Sequence, residues 1–121
     1  MSIFNLTLNP RAFLAILNGT KKIEIRANKK NPGQPNSIND LKKEDTIIFA
    51  KLNSKDILKC IVKRKILYTS VRQLLENEGT EFTLSSTNDL EEGIKSIESI
   101  SNYKEIIVKN GVFAIEIELI N

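Results

Sequence analysis

Short segments in which apolar and polar side chains alternate constrain the fold of this chain more than any other feature. Lys22–Arg26 alternates strictly, with three charged side chains on one face and Ile23 and Ile25 on the other. Because successive side chains of a β-strand point to opposite faces, this period of two predicts a strand with one buried face. Alternation also predicts strands at Ile3–Leu8 and Val112–Ile120. Turn signals predict further strands at Thr46–Lys51 and Ile57–Tyr68, and a short strand at Ile106–Val108 that a hairpin turn at Asn110-Gly111 joins to the last strand.

Helix signals separate some of these strands. Asn9-Pro10 is a favourable start for a helix that ends at Asn18-Gly19. Two further helices are predicted at Val71–Asn77 and Asp89–Ile100. With 121 residues, the chain suits one domain, 1–121. The expected class is α+β, a partly closed antiparallel β-barrel of about five to six strands with two to three helices, since closure removes exposed sheet edges.

Two scarce residue types limit the chemistry of the chain. It contains no histidine and one cysteine, Cys60, so a Ser-His-Asp triad, a Cys-His pair and a zinc site are excluded. No metal and no cofactor are expected, and any reaction must use Lys, Glu, Asp, Tyr, Ser or Thr. Apolar runs are only a few residues long, so no membrane-spanning helix is predicted. With one cysteine and no export signal at the start, the cytoplasm is the expected location.

Charge is distributed unevenly along the chain. Residues 1–75 carry 15 Lys and Arg against 5 Asp and Glu, whereas residues 76–121 carry 3 against 10. This asymmetry favours an electropositive face that meets a polyanion. The plain alternative is that the charges solvate opposite ends of an ordinary surface.

The segment Gly19–Arg26 is the candidate site. Its lysines and arginine can donate charge-assisted hydrogen bonds to a phosphate, and Glu24 can accept from the exocyclic amine of a base. The alternative is a solvent-exposed strand held by salt bridges. In a regular strand, Lys21 would point to the face opposite to Glu24 and Arg26. It joins them only if the chain is still turning out of the helix at Lys21. Arg64 faces a cleft or is turned outward by a β-bulge; both remain open.

The pattern G-x-K-x-x-E-x-R of Gly19–Arg26, after a short helix, resembles the hallmark of ASCH domains, which are relatives of the PUA fold. The segments Lys43–Phe49, Leu74–Gly79 and Asn110–Ile117 are similar to later family motifs in the same order, so the resemblance covers essentially the whole chain. One departure is Glu44, which stands where the family turn usually has glycine.

The resemblance implies RNA or nucleotide binding in a cleft lined by the motif. The ligand-binding residues are then Lys21, Lys22, Glu24, Arg26, Lys29, Lys30 and Arg64. Some small members resemble amidohydrolases that act on acylated cytidine, and others resemble ribonucleases. If this chain were an enzyme, the residues to carry catalysis would be Lys21, Glu24 and Glu78. Glu24 stands where the amidohydrolases have threonine, which favours binding. A third reading is a protein-interaction domain that uses the acidic helix 89–100.

Overall fold

The computed structural model describes residues 2–29 and 38–120. In chain order, the strands are β1 (Ile3–Leu8), β2 (Ile23–Ala27), β3 (Thr46–Lys51), β4 (Ile57–Tyr68) and β5 (Val112–Leu119). The helices are α1 (Pro10–Leu17), α2 (Val71–Glu78), α3 (Leu90–Glu98) and α4 (Tyr103–Asn110), and a short 3-10 helix spans Ile38–Asp40. No helix in these described ranges is long and apolar enough to cross a bilayer.

The five strands form one sheet in the order β1-β3-β4-β5-β2. The pair β1–β3 is parallel and the other pairs are antiparallel. The sheet curls until its two edges face each other, where Arg26 of β2 donates through Nη2 to the carbonyl of Thr7 in β1 at 3.0 Å. The predicted α+β, PUA-like half-barrel is therefore confirmed, although the parallel pair and a fourth α-helix were not expected.

The sheet has an apolar core on each face. The inner core includes Phe4, Phe13, Phe49, Val62 and Ile115, which fill the half-barrel under α1. The outer core lies beneath α2, α3 and α4 and includes Ile23, Val71, Leu74, Leu75, Ile97, Ile107, Val112 and Ala114. Strand alternation divides β5 between these cores, because Ile115 faces inward and Ala114 outward. Cys60 is completely buried, and burial raises the pKa of its thiol to about 12, so the thiol stays protonated.

A β-bulge decides where Arg64 points. Val62 pairs with Ile117, but Arg64 pairs with Glu116, so one extra residue of β4 lies between these pairs. An extra residue reverses the faces of all side chains beyond it. Arg64 therefore lies on the outer face, with Glu116, and the bulge alternative is the correct one.

The prediction of a strand at Ile106–Val108 was wrong, and so was the hairpin turn at Asn110-Gly111. Both segments belong to α4 and its end, since Tyr103 and Ile107 lie one helical turn apart and pack into the outer core. The β-branched side chains favoured a strand locally, but burial of one helical face outweighs that preference. Gly111 ends the helix at φ +88, and a Cβ there would lie 2.7 Å from the carbonyl oxygen of Tyr68.

The other predicted helices need smaller corrections. The N-cap of α3 is Asp89, whose side chain accepts from the amide of Glu92. The helix ends at Glu98 and does not extend to Ile100. The cap of α1 is Asn9, as the sequence predicts, because its side chain accepts from the amide of Ala12.

Glu44 occupies the left-handed region with φ 77 in the turn before β3, and its side chain is exposed. A residue with a Cβ is strained by about 1–2 kcal/mol in this region, and glycine is not. Glu44→Gly is expected to raise the free energy of unfolding by about 1 kcal/mol, after the greater freedom of glycine in the unfolded chain is subtracted. Urea unfolding measures the change, and Glu44→Ala is the control. A stabilisation by alanine equal to that by glycine would contradict the strain argument.

Candidate functional site

Three residues of the candidate segment meet around one carboxylate. After α1, the amides of Thr20 and Lys21 both donate to the carbonyl of Ala15, so the chain is still turning when it reaches Lys21. Lys21 therefore precedes β2 and escapes the alternation of the strand. Glu24 and Arg26 share the inner face of β2, opposite Ile115 and Phe113 of β5. The turn therefore allows Lys21 to point to the same side as Glu24 and Arg26, and Gly19 makes this turn with a positive φ of 80°.

The carboxylate of Glu24 lies between two cations. Its Oε2 accepts from Nε of Arg26 at 2.7 Å, and its Oε1 lies 3.6 Å from Nζ of Lys21. The side chains of Lys21 and Glu24 are 6% and 7% exposed, whereas that of Arg26 is 22% exposed. The cluster is therefore a buried triad with a net charge of +1, whose most accessible member is Arg26.

Lys21 is held by groups of the protein itself. Its ammonium donates to the carbonyl of Ile23 at 2.8 Å and to that of Thr83 at 2.6 Å. Two of its three donors are thus hydrogen-bonded, and the carboxylate of Glu24 lies beside it as an ion pair at 3.6 Å. The same contact fixes the segment that follows α2, because the amides of Lys22 and Ile23 donate to the carbonyl of Phe82. Lys21 thus anchors the segment 80–87 to the start of β2.

The titration of the triad follows its burial and pairing. Burial lowers the pKa of Lys21, and attraction to Glu24 offsets only part of that effect. Burial alone would raise the pKa of Glu24, but Arg26 and Lys21 outweigh it and hold this pKa below its ordinary value. Glu24 is therefore ionised at neutral pH and is a weak base.

A cavity of about 440 Å³ opens above the triad, between the facing edges β1 and β2. Arg11, Glu24 and Arg26 bring charge to it, and Tyr103 and Ile100 bring apolar surface. Hydroxyls line much of the remaining wall, from Thr7, Thr83, Ser85, Ser86, Ser96 and Ser99. Among the described residues, no hydrogen bond engages Nη1 of Arg26, so this guanidinium can donate to a ligand in the cavity.

The other predicted ligand-binding residues that the structure describes do not line this cavity. Lys22 is exposed, with its ammonium 4.8 Å from the centre of the Phe82 ring. Lys29 is also exposed and lies over the Tyr103 ring at 5.9 Å. Lys30 falls outside the described residues. These two exposed lysines can add to the positive field near the cavity without forming part of its wall.

Arg64 and Glu78 form a separate network on the outer face. The two terminal nitrogens of Arg64, Nη1 and Nη2, donate to the Glu78 carboxylate, and its Nε donates to Glu116 at 2.7 Å. The hydroxyl of Tyr68 also donates to Glu78. These pairs fasten α2 to β4 and β5, and the hydrogen bonds to Arg64 are the main reason that the pKa of Glu78 is lowered. Neither residue is among the described residues that line the cavity.

Sequence reasoning missed the residues that supply the other walls of the cavity. Ser85 and Ser86 come from the segment 80–87, Ser96 and Ser99 from the end of α3, and Tyr103 from α4. The hydroxyl-rich composition of Thr80–Thr87 is a signal that the sequence offers, although composition alone does not place these hydroxyls at a site. Within residues 2–29 and 38–120, no group of three or more Cys, Asp or Glu side chains could hold a metal ion.

Comparisons with known proteins agree with this fold. The family model described as ASCH domain matches residues 6–121. The crystal structure of hypothetical protein PH0355 is 34% identical, with a TM-score of 0.81, and the match covers 99% of this chain and 100% of that one. The solution structure of protein PF0455 from Pyrococcus furiosus is 31% identical, with a TM-score of 0.75 and 98% of both chains covered. No match was found among the curated proteins.

Replacing Glu24 should be costly, because it leaves two buried cations without their counter-charge. We expect Glu24→Gln to lower the free energy of unfolding by about 3 kcal/mol. Urea denaturation followed by circular dichroism measures this loss. Glu91→Gln is the matched control, since its pair with Arg72 is exposed and should matter little. An equal effect of the two substitutions would contradict the buried-triad interpretation.

The lowered pKa of Glu24 also predicts a pH dependence. A carboxylate whose pKa is depressed by folding stabilises the protein above its unfolded pKa, here ordinarily 4.5, and this contribution is lost as the pH falls towards the folded pKa. The difference in unfolding free energy between wild type and Glu24→Gln should therefore shrink on acidification below about pH 4.5. Denaturation at several pH values tests this. A difference that stays constant down to pH 3 would contradict it.

Proposed function

Since the chain belongs to the ASCH domain family, we propose that it binds single-stranded RNA or a nucleotide in the cavity between β1 and β2. The observation that carries this proposal is that the guanidinium of Arg26 is held in place by only some of its hydrogen-bond donors. Its Nε is held by Glu24 and one Nη2 hydrogen by Thr7, while Nη1 remains available at the cavity. A guanidinium fixed in this way is ready to bind a phosphate, because little of its freedom remains to be lost.

The charge around the cavity suits an anion. The triad carries one excess positive charge at the floor, and Arg11 adds a second arginine at the wall. The exposed Lys22 and Lys29 extend this field beyond the opening. Arg64 contributes less in this proposal, because Glu78 and Glu116 already neutralise it.

The remaining wall suits a nucleoside. The cavity has a volume of about 440 Å³, which lies in the range of small-ligand pockets. Serine hydroxyls can bind the ribose 2′-hydroxyl that distinguishes RNA from DNA, and the exposed side chain of Ile100 offers an apolar surface for a base. Each oxygen of Glu24 has a second lone pair, so it can accept from an exocyclic amine while it holds its cations.

The geometry supports binding better than hydrolysis. In the amidohydrolase reading, Lys21 and Glu78 act together, but Lys21 is buried, donates to two backbone carbonyls and pairs with Glu24, while Glu78 is bound by Arg64 and Tyr68 on the outer face. A nucleophilic hydroxyl is also replaced by the carboxylate of Glu24. The ribonuclease reading needs a general base, and the lowered pKa of Glu24 makes it a poor one.

The test is RNA binding by wild type and arginine variants. Fluorescence anisotropy with a labelled single-stranded RNA pool should show binding that weakens steeply with salt. Arg26→Lys keeps the charge but loses the planar fork, and should weaken binding roughly 10-fold or more. Arg11→Ala changes an exposed residue of the same wall, and so reports on the cavity even if Arg26 variants unfold.

Arg72→Ala is the matched control, because Arg72 is exposed, pairs with Glu91 and does not line the cavity. It should bind nearly as wild type does. The proposal fails if wild type binds no RNA or nucleotide at low salt. It also fails if the Arg26 and Arg72 variants lose affinity equally.

A further inference from the structure

A second cavity adjoins the first along the segment 80–87. It has a volume of about 480 Å³ and is lined by Gly19, Thr20, Glu81, Phe82, Leu84, Ser85, Ser86, Thr87 and Asn88. Three of these residues, Leu84, Ser85 and Ser86, also line the cavity above the triad. The two cavities therefore lie on either side of one short stretch of chain, and a ligand that fills the first can continue over Ser85 and Ser86 into the second.

The stretch between the cavities is held firmly in place. The carbonyl of Thr83 accepts from Lys21, and that of Phe82 accepts from the amides of Lys22 and Ile23. The hydroxyl of Thr83 donates to the carbonyl of Gly79 at 2.7 Å, and Thr83 is 1% exposed. These bonds fix the backbone at the position where the Phe82 side chain emerges. The ring is thus presented from a rigid support, which reduces the entropy lost when a partner stacks on it.

Phe82 is an exposed aromatic residue with the ammonium of Lys22 over one face of its ring, so a base would stack on the other face. It retains 37% exposure, and the ammonium of Lys22 lies 4.8 Å from its ring centre. An exposed aromatic ring next to a lysine is the combination that sequence-tolerant single-strand binding proteins use, in which the ring stacks on a base and the cation meets the phosphate. Val108 is more exposed, at 79%, but it lines neither of these cavities.

We propose that the second cavity is a neighbouring nucleotide subsite, in which a base stacks on Phe82 while the linking phosphate lies near Lys22. This inference rests on the proposed function of the first cavity and sharpens it. The preferred ligand is then single-stranded RNA of at least two nucleotides rather than a free mononucleotide. Glu81 repels phosphate, so the second cavity holds the base and sugar, and Thr87 and Asn88 offer polar groups to the base edge.

The experiment compares an adenosine monophosphate with an adenosine dinucleotide by calorimetry. For wild type, the dinucleotide should bind roughly 5- to 100-fold more tightly, the range expected from one additional stacked base. In Phe82→Leu, which keeps an apolar side chain but removes the π-face, most of this advantage should disappear. In Phe82→Trp the advantage should be kept or increased. A thermal unfolding scan of both variants verifies that they are folded.

Lys22→Ala provides a second readout, with Lys59→Ala as its control, since Lys59 is exposed on β4 and lines neither cavity. Only Lys22→Ala should reduce the salt dependence of dinucleotide binding. The subsite is refuted if wild type binds both ligands equally, or if Phe82→Leu keeps the full dinucleotide advantage. If wild type binds the mononucleotide and Arg26→Lys weakens it, the first proposal survives that refutation. If wild type binds neither ligand, the subsite is refuted, and the first proposal fails as well if the labelled RNA pool does not bind.

Discussion

The rest of the half-barrel depends on the pairing of the Glu24 carboxylate with two cations. It holds Lys21 and Arg26, and these two cations reach the surrounding elements: Lys21 binds the carbonyl of Thr83, and Arg26 binds the carbonyl of Thr7. One buried anion therefore joins the edge strands β1 and β2 and the segment that leads from α2 to α3. Burying three charges is expensive, and it is tolerable because each charge is paired and hydrogen-bonded.

The same buried triad holds Arg26 in a fixed position at the proposed binding site. Apolar cores on both faces of the sheet stabilise the fold, while the seam between β1 and β2 is polar and partly open. Arg26 takes part in the closed seam and in the cavity. Its guanidinium donates to Glu24 and to the carbonyl of Thr7 across the seam, and the residue also lines the cavity. Lys21, by contrast, is entirely structural in its contacts. Lys21 and Arg26 both belong to the sequence motif, yet they have different tasks. Lys21 donates to two backbone carbonyls and pairs with Glu24, whereas Arg26 has five donors, of which those on Nη1 make no hydrogen bond among the described residues.

The extent to which structure followed from sequence differs between regions. Alternation located β1, β2 and β5, since period two identifies a strand whenever one face is buried, and the turns before β3 and between β3 and β4 located the other two. The helix α4 was mistaken for a strand because Ile106, Ile107 and Val108 have local β-preference, and only packing of Tyr103 and Ile107 against the outer core reveals the helix. The bulge at Val62–Arg64 was one of two open alternatives. Register depends on the partner strand, which the sequence of β4 alone does not contain.

By itself, the sequence determined the class of fold and the chemical groups of the site. Its alternating segments require a sheet, its lack of histidine excludes whole classes of catalyst, and Gly19–Arg26 supplies the charges. Only the tertiary structure decided which charges act together: Lys21, Glu24 and Arg26 converge on one cavity, whereas Arg64 and Glu78 pair on the opposite face of the sheet. The physical reason is that a charge meets its partner through curvature, register and burial of the whole sheet, all of which depend on residues far apart in the chain.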